Sequence, residues 1–179
     1  NVVMVGTGTG LAPFVSMLKQ LHYEEQRGIH HNTKFTLFHT NRTTQELGYH
    51  TELQAIEAAK RIDLLYVPTV SRPIERDFSE PTLGIGRANN LLRFLFDIQM
   101  KEEQDYQTAK ENGGDVLKAE KMLSMAIKPQ LPSRLSKENI LERMNPAETV
   151  ILTCGNPLLM GDIEFIATMN NFQFEKEAW

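Results

Sequence analysis

Three glycines at alternate positions, Gly6, Gly8 and Gly10 in V-G-T-G-T-G-L-A-P, stand between an apolar β-branched run and a helical pattern. Their chemistry is the seating of an anion. Residues without a Cβ let the main chain wrap closely around phosphate oxygens, and the free amides and positive end of the following helix attract negative charge. A pyrophosphate is the natural occupant, with Thr7 and Thr9 able to hydrogen-bond it or a carboxamide. The alternatives are a tight turn that carries no ligand and hydroxyls that satisfy only local backbone. Pro13 falls where a first-turn proline is tolerated, because its missing N–H has no helical carbonyl to meet. The spacing lacks the third glycine of G-x-G-x-x-G, and no Gly-Lys-Ser/Thr follows, which argues against ATP or GTP hydrolysis.

Arg42 and Arg72 follow the second and third apolar runs, and guanidinium forks suit a phosphate monoester through paired charge-assisted hydrogen bonds. No Asp or Glu stands at the tip of the second run to take ribose hydroxyls, so NADP is favoured over NAD. Cys154 ends the fourth run and opens a second strand-to-helix turn, Gly155-Asn156-Pro157. Nothing in the sequence supplies it with an activating base, so it is not a nucleophile, and a buried small thiol is its structural alternative. The five histidines lack metal-ligand spacing, and Glu24-Glu25 and Glu102-Glu103 are most simply solvated faces, so no metal and no acid/base hydrolysis are expected.

The elements that must position these groups alternate. Apolar β-rich runs at Val2 to Val5, Lys34 to Thr40, Asp63 to Val70 and Thr149 to Thr153 are separated by helical patterns at Phe14 to Arg27, Thr44 to Lys60 and Arg87 to Phe96. A further helix at Pro157 to Met169 and a short strand at Phe172 to Phe174 complete the pattern. It predicts an α/β fold, a Rossmann-like five-stranded parallel sheet flanked by helices, with strand order 3-2-1-4-5. Ligands of such sheets bind at the carboxyl ends beside the switch point, which brings Gly6–Gly10 next to Cys154–Pro157. The segment Asp97 to Met144 breaks the rhythm and reads as a helical insertion on the rim. Within it, Val116, Leu117, Met122, Leu123 and Met125 suggest a short amphipathic helix, packed on another domain or partner, or a solvated surface hairpin.

The chain has 179 residues, enough for one domain with a buried core. Its 19 basic and 23 acidic residues give a net charge of −4, against a general nucleic-acid or membrane surface. A single cysteine fits a reducing compartment, and no apolar run approaches the roughly 20 residues of a membrane span, so a cytoplasmic location is expected. Asn1 opens directly on a core strand, so the polypeptide is expected to continue upstream.

Five elements in order are similar to the C-terminal NADP-binding module of the ferredoxin–NADP reductase family, especially its bacterial branch. They are GTGTGLAPF at Gly6–Phe14, FHTNRTTQELGY at Phe38–Tyr49, VSRP at Val70–Pro73, TCGNPLLMGD at Thr153–Asp162 and the terminal Trp179. The resemblance covers the chain apart from the insertion. It implies an NADP-binding domain over residues 1–179, with FAD held mainly by an N-terminal barrel that this chain lacks. It implies the 2′-phosphate for Arg42, Ser71 and Arg72, with Arg87 as a third contact for which Arg134 competes. Cys154 would lie beside the nicotinamide and help place its C4 against the flavin N5, with Gly155, Asn156 and Pro157 forming the turn. Trp179 would stack on the FAD. The implied activity is hydride transfer between NADP(H) and FAD, with electrons exchanged with ferredoxin or flavodoxin. The alternatives are the reductase component of an oxygenase, a flavohaemoglobin or diflavin reductase, a non-catalytic NADP-sensing module, or an insertion that acts as a docking platform. The oligomeric state is left open.

Overall fold

Val2, Val3 and Val5 crowd their own backbone and favour extended conformation, and their run becomes β1 (Val2–Thr7), buried along its central residues. The computed structural model describes residues 1–177. Trp179, the expected flavin-stacking aromatic, lies outside the described residues.

After β1 come α1 (Ala12–Gln26), β2 (Lys34–Asn41), α2 (His50–Ala59), β3 (Asp63–Val70), β4 (Gly84–Ile85) and α3 (Ala88–Leu95). Then follow α4 (Lys101–Asn112), α5 (Val116–Ser124), α6 (Lys137–Leu141), β5 (Val150–Cys154), α7 (Pro157–Met169) and β6 (Gln173–Glu177). The strands form one parallel sheet in the order β4-β3-β2-β1-β5-β6. This is the predicted α/β fold with β1 inside the sheet, and five of the strands stand in the predicted order. The difference is the sixth, β4, a two-residue edge strand too short to show a period. It is held by register with Thr69 and Val70 of β3 and by an antiparallel bridge from Ile85 to Gln130.

Side chains alternate across the sheet and build two cores. Val3, Val5, Phe38, Val67 and Ile151 face α3 and α7, where Leu91, Leu92, Leu95, Ile163 and Ile166 cover them. Met4, Phe35, Leu37, Leu64, Tyr66 and Cys154 face α1 and α2, packed on Phe14, Val15, Leu18, Leu53 and Ile56. Burial on both faces accounts for strands that read as continuous apolar runs.

Two helices depart from expectation, one in its start and one in its burial. The pattern from Thr44 to Lys60 starts with a separate 3-10 turn, Thr44–Glu46, and α2 begins only after Tyr49, whose φ of 59° breaks the helix. The amphipathic stretch in the insertion is helical, as α5, yet buries none of its residues, and Leu117, Met122 and Met125 are exposed. No helix among the described residues is long and apolar enough to cross a membrane.

Candidate functional site

Two strand-to-helix turns meet at the carboxyl edge of the sheet. Gly6 of β1 stands in register with Cys154 of β5, and the turns after them touch main chain to main chain. A Cβ on Gly10 would lie 2.2 Å from the carbonyl oxygen of Cys154 and 2.6 Å from Cα of Gly155. One on Gly155, whose φ is +132°, would lie 2.4 Å from Oγ1 of Thr7. Only glycine permits this approach, and it leaves Gly8, with nothing within 4 Å of where its Cβ would stand, open above the turn. Pro13 is in the first turn of α1, as its missing N–H allows. Asn156 caps α7, its Oδ1 accepting from the amides of Leu158 and Leu159 at 2.9 and 3.3 Å. Pro157 is the first residue of that helix.

The turns open onto a cleft of about 730 Å³. Thr7, Gly8 and Asn156 line its floor, and Arg42, Ser71 and Arg87 its side. The tips of β2 and β3 are stitched together: the Ser71 amide donates to Asn41 O at 2.9 Å, and the Arg72 amide to Arg42 O at 2.8 Å. The two arginines therefore stand side by side, with Arg42 in the cleft wall and Arg72 exposed next to it and outside the lining. Arg134 lies elsewhere. Its Nη2 is held by the Glu57 carboxylate and by Tyr66 O at 2.6 Å, so of the two candidates for a third cation only Arg87 reaches the cleft.

Cys154 is 1 % exposed, with its side chain in the α1/α2 core and outside the cleft lining. Its main chain, against Gly10, is what it brings to the site. Thr9 is exposed on the turn, where its carbonyl accepts the Ala12 amide.

Several lining groups escaped the sequence reading. The 3-10 turn after β2 swings Glu46 into the cleft, so an acidic side chain does stand near the β2 tip although none adjoins it in sequence. The insertion supplies Lys101, Glu102, Asp105 and Met122, making it one wall of the cleft. Asn89 and Asp162 come from α3 and α7. Asp162 is nearly wholly buried, held by the Arg93 fork with one contact at 2.9 Å from Nε, while Asn89 Nδ2 donates to its Oδ2 at 2.8 Å. The contact from Nδ2 fixes the Asn89 amide, and its buried Oδ1 is left without a partner among the described residues. Only the TCGNPLLMGD element pointed to any of them, through Asp162.

Most charge in the cleft is already matched. Glu102 takes Arg87, Asp105 takes Lys101 and Arg93 takes Asp162. Among the described lining cations, Arg42 alone has no carboxylate partner. Among the described residues no cluster of His, Cys, Asp or Glu could hold a metal ion. A glycine-closed cradle, an uncompensated guanidinium and an orphaned buried acceptor together fit a phosphorylated dinucleotide with hydroxyl or amide donors.

A parallel sheet whose carboxyl edge carries this cradle defines an NAD(P)-binding domain. Residues 4–90 match the family described as the oxidoreductase NAD-binding domain. Similar folds occur in a flavohemoglobin from Malassezia yamatoensis with bound FAD and heme, at 12 % identity and TM-score 0.54, over 99 % of this chain and 31 % of that one. The CS-b5R domains of human Ncb5or in the NAD+ form are 14 % identical with TM-score 0.54, over 99 % of this chain and 36 % of theirs. The Amycolatopsis cytochrome P450 reductase GcoB is 14 % identical with TM-score 0.52, over 98 % and 36 %. The chain thus spans about a third of the length of each. No curated protein matches it in sequence.

Proposed function

We propose that the chain is the NADP(H)-binding module of a flavin-dependent oxidoreductase of the ferredoxin–NADP reductase type. The observation that carries this reading is Arg42, a guanidinium with no carboxylate partner among the described residues, in the wall of a cleft floored by Thr7, Gly8 and Asn156. When bound, the coenzyme supplies the redox chemistry, exchanging a hydride between its nicotinamide and an FAD held by the rest of the protein. The residues of this chain bind and orient. Main-chain amides of the turn after β1 and the α1 dipole hold the pyrophosphate, with Thr7 alongside. Arg42, Ser71 and Arg72 grip the 2′-phosphate, with Arg87 as a further contact from the cleft lining. The Cys154–Pro157 turn, fixed against Gly10, sets where the nicotinamide end can lie. Electrons then pass to ferredoxin or flavodoxin.

A second reading, NAD selectivity, draws on Glu46, a carboxylate in the same wall that could accept ribose hydroxyls. One experiment separates the two. The full-length protein is mixed with NADPH or NADH in a stopped-flow instrument and flavin bleaching is followed. NADPH is expected to bleach the flavin with the higher kcat/KM. Arg42→Ala is expected to cost roughly tenfold or more with NADPH, the worth of one charge-assisted contact, and less with NADH. Equal rates for the two coenzymes, or no bleaching, would reject the proposal.

A further inference from the structure

The insertion is fastened to the cleft through one buried carboxylate. Glu102, in the first turn of α4, is 6 % exposed. Its Oε2 accepts from Asn90 Nδ2 at 2.7 Å and its Oε1 from Arg87 Nη1 at 3.1 Å. Asn90 answers with its own Oδ1, which takes the Lys101 amide at 3.0 Å. The first turns of α3 and α4 are thereby stapled, and Arg87 is held from one edge of its guanidinium while its side chain stays half exposed in the cleft. Lys101 cannot serve the same purpose, because its ammonium is committed to Asp105.

From this we infer that Glu102 is a positioning residue for coenzyme selectivity: the insertion holds Arg87 so that its remaining N–H donors meet the 2′-phosphate. The inference rests on the NADP reading above. Two effects of Glu102 oppose each other. Freezing an unrestrained arginine costs roughly thirtyfold in affinity, and Glu102 has already done it. Its repulsion of a phosphate on the far side of the guanidinium, in a solvent-open cleft, costs only several-fold. Preorganisation wins, by roughly fivefold. The insertion is then a selectivity element of the nucleotide site and not merely a rim ornament.

The test measures binding of 2′-phospho-AMP and of AMP to the full-length protein by calorimetry, the ratio of the two affinities isolating the 2′-phosphate. Glu102→Gln keeps an acceptor for Asn90 and removes the charge that orients Arg87, so it separates positioning from stapling. The expected ratio falls roughly fivefold in Glu102→Gln and in Glu102→Ala. The double variant Arg87→Ala/Glu102→Gln should show a ratio equal to or above that of Arg87→Ala alone, because without the arginine only the repulsion of the phosphate is left for the second substitution to relieve. Asn90→Ala, which cuts the other half of the staple, should lower the melting temperature and preserve the ratio. A ratio unchanged or raised in Glu102→Gln while Arg87→Ala lowers it overturns the inference, as do additive effects in the double variant. A wild-type protein that binds the two nucleotides equally overturns the NADP reading instead.

Discussion

A methyl group on Gly10 would have to occupy space held by the main chain of Cys154, 2.2 Å from its carbonyl oxygen. Backbone cannot swing aside as a side-chain tip can, so the two turns must part. Gly10→Ala is therefore expected to cost roughly 3 kcal/mol of stability and at least tenfold in coenzyme affinity. Gly8→Ala is the control, since nothing lies within 4 Å of its Cβ and only its φ of +56° is unfavourable, worth about 1 kcal/mol. Urea denaturation and calorimetric titration of both variants decide the matter: similar losses in the two would mean that the contact between the turns does not shape the cradle. At this scale the sequence was legible where residue type alone carries the consequence. Glycines that must lack a Cβ, a proline in the first turn of α1 and an arginine after a strand all stood out. Illegible was the direction of a side chain at a strand end. Cys154 read as a neighbour of the nicotinamide from its motif alone, and nothing in the sequence signalled that strand alternation packs its side chain on the same face as Leu37 and Tyr66. Its thiol, 1 % exposed, should resist iodoacetamide in the native protein and react at once in urea. Alkylation at comparable rates in both would show that the thiol is accessible.

Between elements, the junction of α3 and α7 beneath the cleft rests on a buried ion pair. Arg93 and Asp162 have side chains 1 % and 3 % exposed, and the guanidinium also donates to Gln99 O at 2.8 Å and stacks 5.5 Å over Phe165. Removing one partner strands the other as an uncompensated charge, which costs about 3–5 kcal/mol, whereas replacing both with apolar residues of similar size costs much less. Arg93→Met and Asp162→Leu are each expected to fall in that range. The double variant should recover most of the loss, read as a strongly non-additive cycle in urea denaturation. Additive losses would mean that the pair contributes no mutual compensation. None of this partnership was visible in the sequence, because Arg93 and Asp162 are 69 residues apart and each looks like an ordinary helical charge. What the sequence did disclose at this scale was the long strands, whose continuous apolar runs require helices on both faces. It did not disclose β4, which exists only because β3 and Gln130 flank it. Nor did it place the insertion against the cleft, since that contact is made by the polar residues Asn90, Lys101 and Glu102 and leaves no hydrophobic period.

For the molecule as a whole, acid should be destabilising before any carboxylate titrates, and the cause is a polar seam that ties β2, β3 and α2 together. His39 on β2 and His50 on α2 both turn Nδ1 to the Tyr66 hydroxyl of β3, at 2.9 and 3.0 Å. One hydroxyl can give a proton to one ring and take a proton from the other, so the Tyr66 hydroxyl is satisfied with both rings neutral. Burial holds His39 down at about 4, helped by the neighbouring His50, and burial also lowers His50 while raising Tyr66. The unfolded chain protonates His39 near 6.5 and the folded one does not until about 4. The unfolded state thus binds more protons in this window, and stability rises with pH across it and levels off above it. Between pH 7 and pH 5 the His39 contribution alone is worth about 2 kcal/mol, or a melting temperature lower by roughly 4–8 °C for a chain of this size. The carboxylates with lowered values, Glu24, Glu25, Glu80 and Glu138, add their losses only below about 4.5, so this window isolates the histidines. Thermal melts at half-unit steps from pH 5 to pH 7 should show that slope in the wild type and a much flatter one in His39→Gln. A wild-type profile flat across this range, or a slope that survives the substitution, would place the acid sensitivity of the fold somewhere other than this seam.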